Sequence, residues 1–151
     1  LIDILTGEYK INRVDILHDV GKSLNKTIDL GQIEGGFIQG MGWLTCEELF
    51  WNKDGSLQTH APSTYKIPLA SDRPDNFNIK IASWSKNTEK TIKRSKAVGE
   101  PPFMLAISVH EAIQMAVASI AEYKINPRMN APATPEEVLS CINDIQRAYQ
   151  I

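Results

Sequence analysis

The sequence GQIEGGFIQGMG, residues 31–42, contains five of the nine glycines in this chain of 151 residues. Asp29 lies just before it and Gln32 follows three residues later, a capping-box spacing that predicts a helix from about residue 30 to residue 44. Each glycine inside a helix costs about 1 kcal/mol relative to alanine. Glycines four residues apart share a helix face, so the pairs 31/35 and 36/40 predict a smooth surface that another backbone or a flat ligand can approach closely.

Strand-like runs lie on both sides of this helix. Two of them, residues 2–5 and 9–17, alternate around the turn Thr6-Gly7-Glu8 and predict a β-hairpin. Residues 18–25 are polar and predict a loop. Residues 45–59 return to a strand pattern that is broken by the turn Asn52-Lys53-Asp54-Gly55.

The second half of the chain alternates irregular segments with a strand and two helices. Residues 60–68 contain two prolines, which exclude a central strand, and residues 77–82 predict another strand. Pro101-Pro102 opens a helix over about residues 103–123, and Asn126-Pro127 ends it. Its predicted buried stripe is Leu105, Val109, Ala112, Ala116 and Ile120, widened by Ile113 and Val117.

A last helix, from about Glu136 to Tyr149, is predicted by the cap Thr134 with Pro135 at its first position. Hairpins, isolated strands and helices without strict alternation predict an α+β fold with a mixed or antiparallel sheet and packed helices. At this length we predict one domain, residues 1–151, whose tail and final helix are residues 126–151.

Composition excludes several functional classes. A net charge of −2 gives no indication of a nucleic-acid partner. Cys46 and Cys141 are far apart and in no CxxC pair, so we expect free buried thiols in the cytoplasm rather than a disulfide or zinc site. We find no window close to the roughly 18 apolar residues of a membrane span and no signal peptide. Residue 1 is Leu within a strand-like run, which predicts a fragment or a cleaved product.

Several short motifs favour structural interpretations. Gly40-Met41-Gly42 begins like a dinucleotide fingerprint, but Thr45 breaks the pattern and no strand precedes it. His18, His60 and His110 are widely separated, so we predict no metal site among the side chains. Glu47-Glu48 lies in a strand pattern that puts the two carboxylates on opposite faces.

A basic run contains Lys90, Lys93, Arg94 and Lys96. Such runs usually form a solvated face. The alternative is an anion site, such as one for a phosphate of a bound cofactor.

Glu100 lies between Gly99 and Pro101-Pro102. Pro101 disfavours helical geometry for the residue before it, and Gly99 permits a close backbone approach. An apolar run starts at Phe103, so we expect a partly desolvated carboxylate, whose raised pKa would suit proton transfer. The alternative, which composition alone favours, is an ordinary acidic residue at a helix N-terminus.

Three long motifs occur in order, and together they strongly resemble the C-terminal part of the xanthine dehydrogenase/aldehyde oxidase family. They are residues 31–42 (GQIEGGFIQGMG), 62–68 (PSTYKIP) and 95–102 (SKAVGEPP). Residues 15–25 extend the match, which covers roughly residues 1–139, with residues 131–136 similar to the family's tail. The sequence of residues 103–113 is more similar to the bacterial large subunits than to the animal enzymes.

The resemblance implies a role for each motif. In the family, the glutamate that corresponds to Glu100 lies beside a molybdenum and removes a proton from its hydroxyl ligand, whose oxygen then attacks a heteroaromatic carbon. Gln32 corresponds to a glutamine that hydrogen-bonds an oxo ligand of the metal, a role that competes with helix capping. Lys96, Val98 and Gly99 correspond to the segment that surrounds the pterin of the cofactor.

The resemblance also implies partners outside this chain: the remainder of the molybdenum subunit and a subunit with FAD and [2Fe–2S] clusters, in an oligomeric enzyme. The implied reaction is purine oxidation, hypoxanthine or xanthine to urate, with electrons passed through iron–sulfur and FAD to NAD. A second possibility is a related molybdenum hydroxylase for an aldehyde, nicotinate or isoquinoline. A third, from a different class, is an inactive binding or scaffolding domain.

Overall fold

The structure, a computed structural model, describes residues 1–149. The predicted tail at residues 126–151 therefore includes two residues outside the described part. Helix α1, Lys26–Thr45, lies at the centre of the molecule. Its buried residues Ile33, Phe37 and Met41 belong to one hydrophobic core. Both strands and the two longer helices that follow, residues 107–118 and 135–149, also contribute residues to this core or pack against it.

Two strands form a small parallel sheet beside α1. Strand β1, Arg13–His18, pairs with strand β2, Asn76–Ile81, and the register runs from Arg13 opposite Asn76 to His18 opposite Ile81. Ile16 of β1 is buried, and the Phe77 ring of β2 packs 5.5 Å from the Phe37 ring of α1. The α+β class is confirmed, with parallel pairing in this sheet and antiparallel pairing in isolated bridges.

The predicted N-terminal hairpin is wrong in its pairing. Residues 2–5 and 9–17 share a single antiparallel bridge, between Ile2 and Tyr9, whereas β1 pairs with β2, far along the chain. Alternation identifies a strand but carries no information about its partner, which explains the error. Likewise, residues 45–59 contain one bridge, Trp51 to Leu57, around the expected turn instead of two full strands.

The predicted cap of α1 is also wrong. Asn25 is the N-cap, and its side-chain oxygen accepts hydrogen bonds from the backbone amides of Thr27 and Ile28 at 3.1 and 3.2 Å. Asp29 lies in the first turn and accepts a hydrogen bond from the hydroxyl of Ser23 at 2.5 Å. The helix therefore starts one turn earlier than predicted, and the Gln32 side chain is free for another role.

The predicted helix at 103–123 is divided into helix α2, Pro102–Leu105, and helix α3, Ile107–Ala118, followed by a 3-10 turn at Ser119–Ala121. The buried positions are Pro102, Ala106, Val109, Ile113, Val117, Ala118 and Ala121. Ala112 and Ala116 of the predicted stripe are exposed, as is Leu105. The segment is apolar on most faces, so periodicity could not identify the buried one.

By length and composition alone, residues 102–121 could also cross a membrane, contrary to our expectation from the sequence. This is weak support for a span, since the same residues contribute one face to the core.

Helix α4, Pro135–Tyr149, follows the prediction: the Thr134 hydroxyl accepts a hydrogen bond from the Glu137 amide at 3.3 Å. Val138, Cys141, Ile142 and Ile145 of α4 are buried.

Candidate functional site

A cleft of about 340 Å³ lies between α1 and the segment that leads into α2. It is lined by the following residues: Gly31, Gln32, Gly35, Gly36, Gln39, Gly99, Glu100 and Phe103. The first five belong to one side of α1. The other three come from a segment that is distant in sequence, so the fold assembles this cleft from two of the motifs.

Two glycines of α1 permit the two walls to meet. A Cβ atom at Gly36 would lie 2.6 Å from the carbonyl oxygen of Gly99, and one at Gly40 would lie 2.9 Å from the Cα atom of Phe103. Both separations are too short for any side chain. The Phe103 ring also packs edge-on against Trp43, with 5.0 Å between ring centroids. The smooth glycine face predicted from the sequence is thus where the backbone of residues 99–103 rests.

The other two glycines, Gly31 and Gly35, face open space. A Cβ atom at either position would meet no other atom within 4 Å. They form a flat floor in the cleft, next to the exposed side chain of Gln32. A Cβ atom at Gly99 would lie 3.1 Å from the amide oxygen of Gln32, so this side chain lies close to Gly99 on the opposite wall.

Glu100 lies at the edge of the cleft, two residues before α2. Its carbonyl oxygen accepts a hydrogen bond from the Phe103 amide at 2.9 Å, which fixes the backbone at the helix start. Its side chain is exposed, so the described residues do not supply the desolvation expected from the sequence. Gln32, Gly99 and Glu100 are brought together as the resemblance implies.

Lys96 and Val98 do not line the cleft. The Lys96 ammonium forms an ion pair with Asp19 at 2.5 Å, and the Val98 side chain is half-buried against the hydrophobic core. Of the remaining basic run, Lys90 and Lys93 are exposed, and the Arg94 guanidinium donates to the carbonyl of Thr88 at 2.7 Å.

The third motif, residues 62–68, packs against the C-terminal end of α1. A Cβ atom at Gly42 would lie 2.6 Å from Pro68, and the Tyr65 hydroxyl donates to the Glu47 carboxylate at 2.5 Å. This hydrogen bond raises the pKa of Tyr65 to about 12. Glu47 therefore joins the motif to α1, and all three motifs meet on a single helix.

Two residues of the site region were missed from the sequence. Gln39 lines the cleft seven residues after Gln32, and two helical turns put both amides on one side of α1, so helical spacing could have identified it. Asp19, the partner of Lys96, lies in a loop, and only tertiary structure reveals their contact.

A second cleft, of about 450 Å³, lies at the other end of α1 and contains none of the predicted site residues. Tyr9 and Cys46 contribute to it, and burial raises the pKa of Tyr9 to about 12 and also raises that of the Cys46 thiol. Within residues 1–149, no group of three or more His, Cys, Asp or Glu side chains could hold a metal ion.

Comparisons with known proteins agree with the motif assignment. A family model described as "Molybdopterin cofactor-binding domain" matches residues 1–74. The xanthine dehydrogenase/oxidase of Felis catus is 45% identical over 97% of this chain, and xanthine dehydrogenase 1 of Arabidopsis thaliana is 44% identical over 98%. The chain belongs to the xanthine dehydrogenase family.

The match covers a small part of these relatives. This chain spans 11% of the Felis catus protein and 12% of the Arabidopsis thaliana protein. Among solved structures, quinoline 2-oxidoreductase from Pseudomonas putida 86 superimposes with a TM-score of 0.76 at 27% identity, over 95% of this chain and 17% of that one. This structural neighbour therefore shares the helix-and-sheet arrangement that builds the cleft.

Proposed function

We propose that this chain forms one wall of the molybdenum-cofactor site of a molybdenum hydroxylase that oxidises a purine, hypoxanthine or xanthine, to urate. The observation that carries the proposal is the cleft itself. It unites Gln32, Gly99 and Glu100 beside an open glycine floor, although these residues come from two distant segments.

The residues present fit such a cofactor. Gly31 and Gly35 provide a floor without side chains, on which a flat pterin ring can lie. The amides of Gln32 and Gln39 can hydrogen-bond polar atoms at the ring edge. Since the described residues hold no cluster of metal-ligating side chains, the molybdenum would be carried by its pterin.

Bound in the cleft, the cofactor supplies the two-electron redox chemistry. Glu100 accepts the proton that a water-derived oxygen must lose before it attacks carbon. The Gln32 amide donates a hydrogen bond to an oxygen of the bound group and holds it in position. Gly99 allows the close approach. Lys96 and Val98 lie outside the cleft, paired with Asp19 and packed against the core, and would support the segment that carries Gly99 and Glu100.

The substrate assignment is based on the relatives, which are named xanthine dehydrogenases. The second candidate is a molybdenum hydroxylase for another substrate, an aldehyde, nicotinate or isoquinoline. This second candidate is supported by a structural neighbour that is named for a different heteroaromatic substrate, quinoline 2-oxidoreductase. In the proposed enzyme, [2Fe–2S] and FAD groups on another subunit or domain would carry the electrons to NAD, and the assembly would be a cytoplasmic, bacterial-type oligomer.

The remainder of the molybdenum subunit is the proposed direct partner of this chain. Large apolar side chains are exposed on several elements: Ile28, Trp43, Leu49, Phe50, Trp51, Met104, Ile107 and Met115. We propose that part of this exposed apolar surface forms the interface with that partner. Trp43, Met104 and Ile107 lie on or next to elements that form the cleft, which supports a cofactor site completed by that partner.

The test is Glu100→Gln in the complete enzyme, with Glu111→Gln as a matched control on the exposed face of α3. Loss of the proton acceptor should lower xanthine turnover by at least about 10², with molybdenum and pterin contents unchanged. Glu111→Gln should behave like the wild type, because Glu111 lies outside the cleft. Turnover of Glu100→Gln near that of the wild type would show that Glu100 is not the base.

A further inference from the structure

Asp19 is the centre of a hydrogen-bonded cluster that includes Lys96, four residues before Glu100. One carboxylate oxygen accepts from the ammonium of Lys96 at 2.5 Å, and the other accepts from the Gly21 amide at 2.7 Å and from the Ser85 hydroxyl. We call this cluster, Asp19, Gly21, Ser85 and Lys96, the Asp19 clasp. It joins the loop after β1, the loop after β2 and the segment that leads to Glu100.

The backbone reinforces the clasp. The Lys96 amide donates to the Val20 carbonyl at 2.9 Å, and the Lys22 amide donates to the Arg94 carbonyl at 3.0 Å. Gly21 has a φ of +61°, and a Cβ atom there would lie 2.5 Å from the Arg94 oxygen. Only glycine allows the two loops to approach so closely.

The segment held by the clasp contains a strained turn. Lys93 and Arg94 adopt φ values of +49° and +63°, in the left-handed region that residues with a side chain rarely adopt. Such backbone persists only where the surroundings hold it in place. Here the Ser95 carbonyl accepts from both Thr91 and Asn87, and Lys96 is fixed by Asp19.

The clasp lies four residues before Glu100, and a chain of that length reaches at most about 14 Å. On the far side, the Gly99 carbonyl rests against Gly36 and Pro102 is buried. The residues between Lys96 and Glu100 are therefore suspended between two anchors, the clasp and the glycine face of α1. Because Asp19 forms an ion pair with Lys96, the Lys96 ammonium is not free to bind another anion.

We infer that Asp19 is a positioning residue for Glu100: through Lys96 it holds the strained turn and thereby sets where the Glu100 carboxylate stands over the cleft. The inference rests on the proposed function, in which Glu100 accepts the proton. The Lys96 ammonium, with Ser85 and Gly21, also holds the pKa of the Asp19 carboxyl well below its usual range, so the carboxylate stays ionised at pH values where a free aspartate becomes protonated.

The experiment compares Asp19→Asn with Asp15→Asn in the complete enzyme. Asp15 is a matched control, because it is an exposed aspartate of β1 that is also paired with a basic side chain, Arg13. We measure hydrogen exchange of the amides in residues 93–100, molybdenum and pterin contents, and kcat and KM for xanthine. Lys96→Met and the double variant complete a cycle that tests whether both residues act through one contact.

We expect Asp19→Asn to speed exchange of the Lys96 amide about tenfold and to lower kcat about tenfold, with metal content and KM nearly unchanged. Lys96→Met should match it, the double variant should be no worse, and Asp15→Asn should resemble the wild type. Wild-type exchange in Asp19→Asn, whatever its turnover, would overturn the inference. The Glu100→Gln variant tests the proposed function separately. Full turnover of Glu100→Gln would show that Glu100 is not the base, but it would not change the hydrogen-exchange result for Asp19→Asn.

Discussion

Gly40 is the residue at which α1 and the Glu100 segment come into closest contact. A Cβ atom there would collide with the backbone of Phe103, whereas one at Gly31 would meet no atom within 4 Å. These two positions in one helix differ only in what faces them. They therefore separate the packing role of a helical glycine from its helix-propensity cost.

We predict opposite effects on stability for alanine at these positions in the complete enzyme. Gly40→Ala should destabilise the fold by about 1–3 kcal/mol, because the methyl group forces α1 and Phe103 apart. Gly31→Ala should stabilise α1 by up to about 1 kcal/mol and yet lower the pterin content, since its methyl group enters the cleft. Apparent Tm values and cofactor analysis check both; equal Tm shifts for the two variants would contradict this account.

At the residue scale, sequence motifs identified the parts of the cleft that lie in long, recognisable runs. Gln32, Gly99 and Glu100 meet in one cleft. The clasp was not predicted, because Asp19 and Lys96 are 77 residues apart and their contact depends on the pairing of two loops. Lys96 also lies in a basic run with exposed residues such as Lys90 and Lys93, so the sequence did not indicate that it alone pairs with Asp19.

At the scale of elements, the presence of the helices and the bounds of α4 were predicted, whereas the start of α1, the division between α2 and α3 and the strand pairing were not. Local capping and proline positions determine where α4 begins, and these are readable from sequence. The partner of β1 is set instead by how both strands pack on Phe37 and the rest of the core. The start of α1 was misplaced because Asn25 and Asp29 are both acceptable caps, and only one side chain reaches the free amides.

The N-cap gives a direct test at this scale. Asn25→Ala should lower the stability of α1 by about 1 kcal/mol, because the amides of Thr27 and Ile28 lose their acceptor. Asn143→Ala, on the exposed side of α4, serves as the control and should change stability by less than about 0.5 kcal/mol. Thermal unfolding of the two variants measures the difference; a control as destabilised as Asn25→Ala would reject the cap.

At the scale of the whole molecule, the fold leaves much apolar surface uncovered. Met104 and Ile107 are more than half exposed beside the cleft, and Trp51 is 57% exposed in the loop after α1. The core is nevertheless continuous from β1 to α4. A chain that spans 11% and 12% of two of its relatives thus has one continuous core and an open cleft.

This arrangement predicts that the 151-residue chain alone does not retain the cofactor. The cleft is bounded by α1 and one loop, so a pterin lying on Gly31 and Gly35 remains in contact with solvent on its other face. Ligand pockets usually bury 70–90% of a ligand, and a single wall buries far less, so dissociation should be fast. Pterin fluorescence after gel filtration measures retention, with the complete enzyme as the positive control. Stoichiometric pterin on the isolated chain would show that this wall suffices, and Gly31→Ala should then abolish the retention.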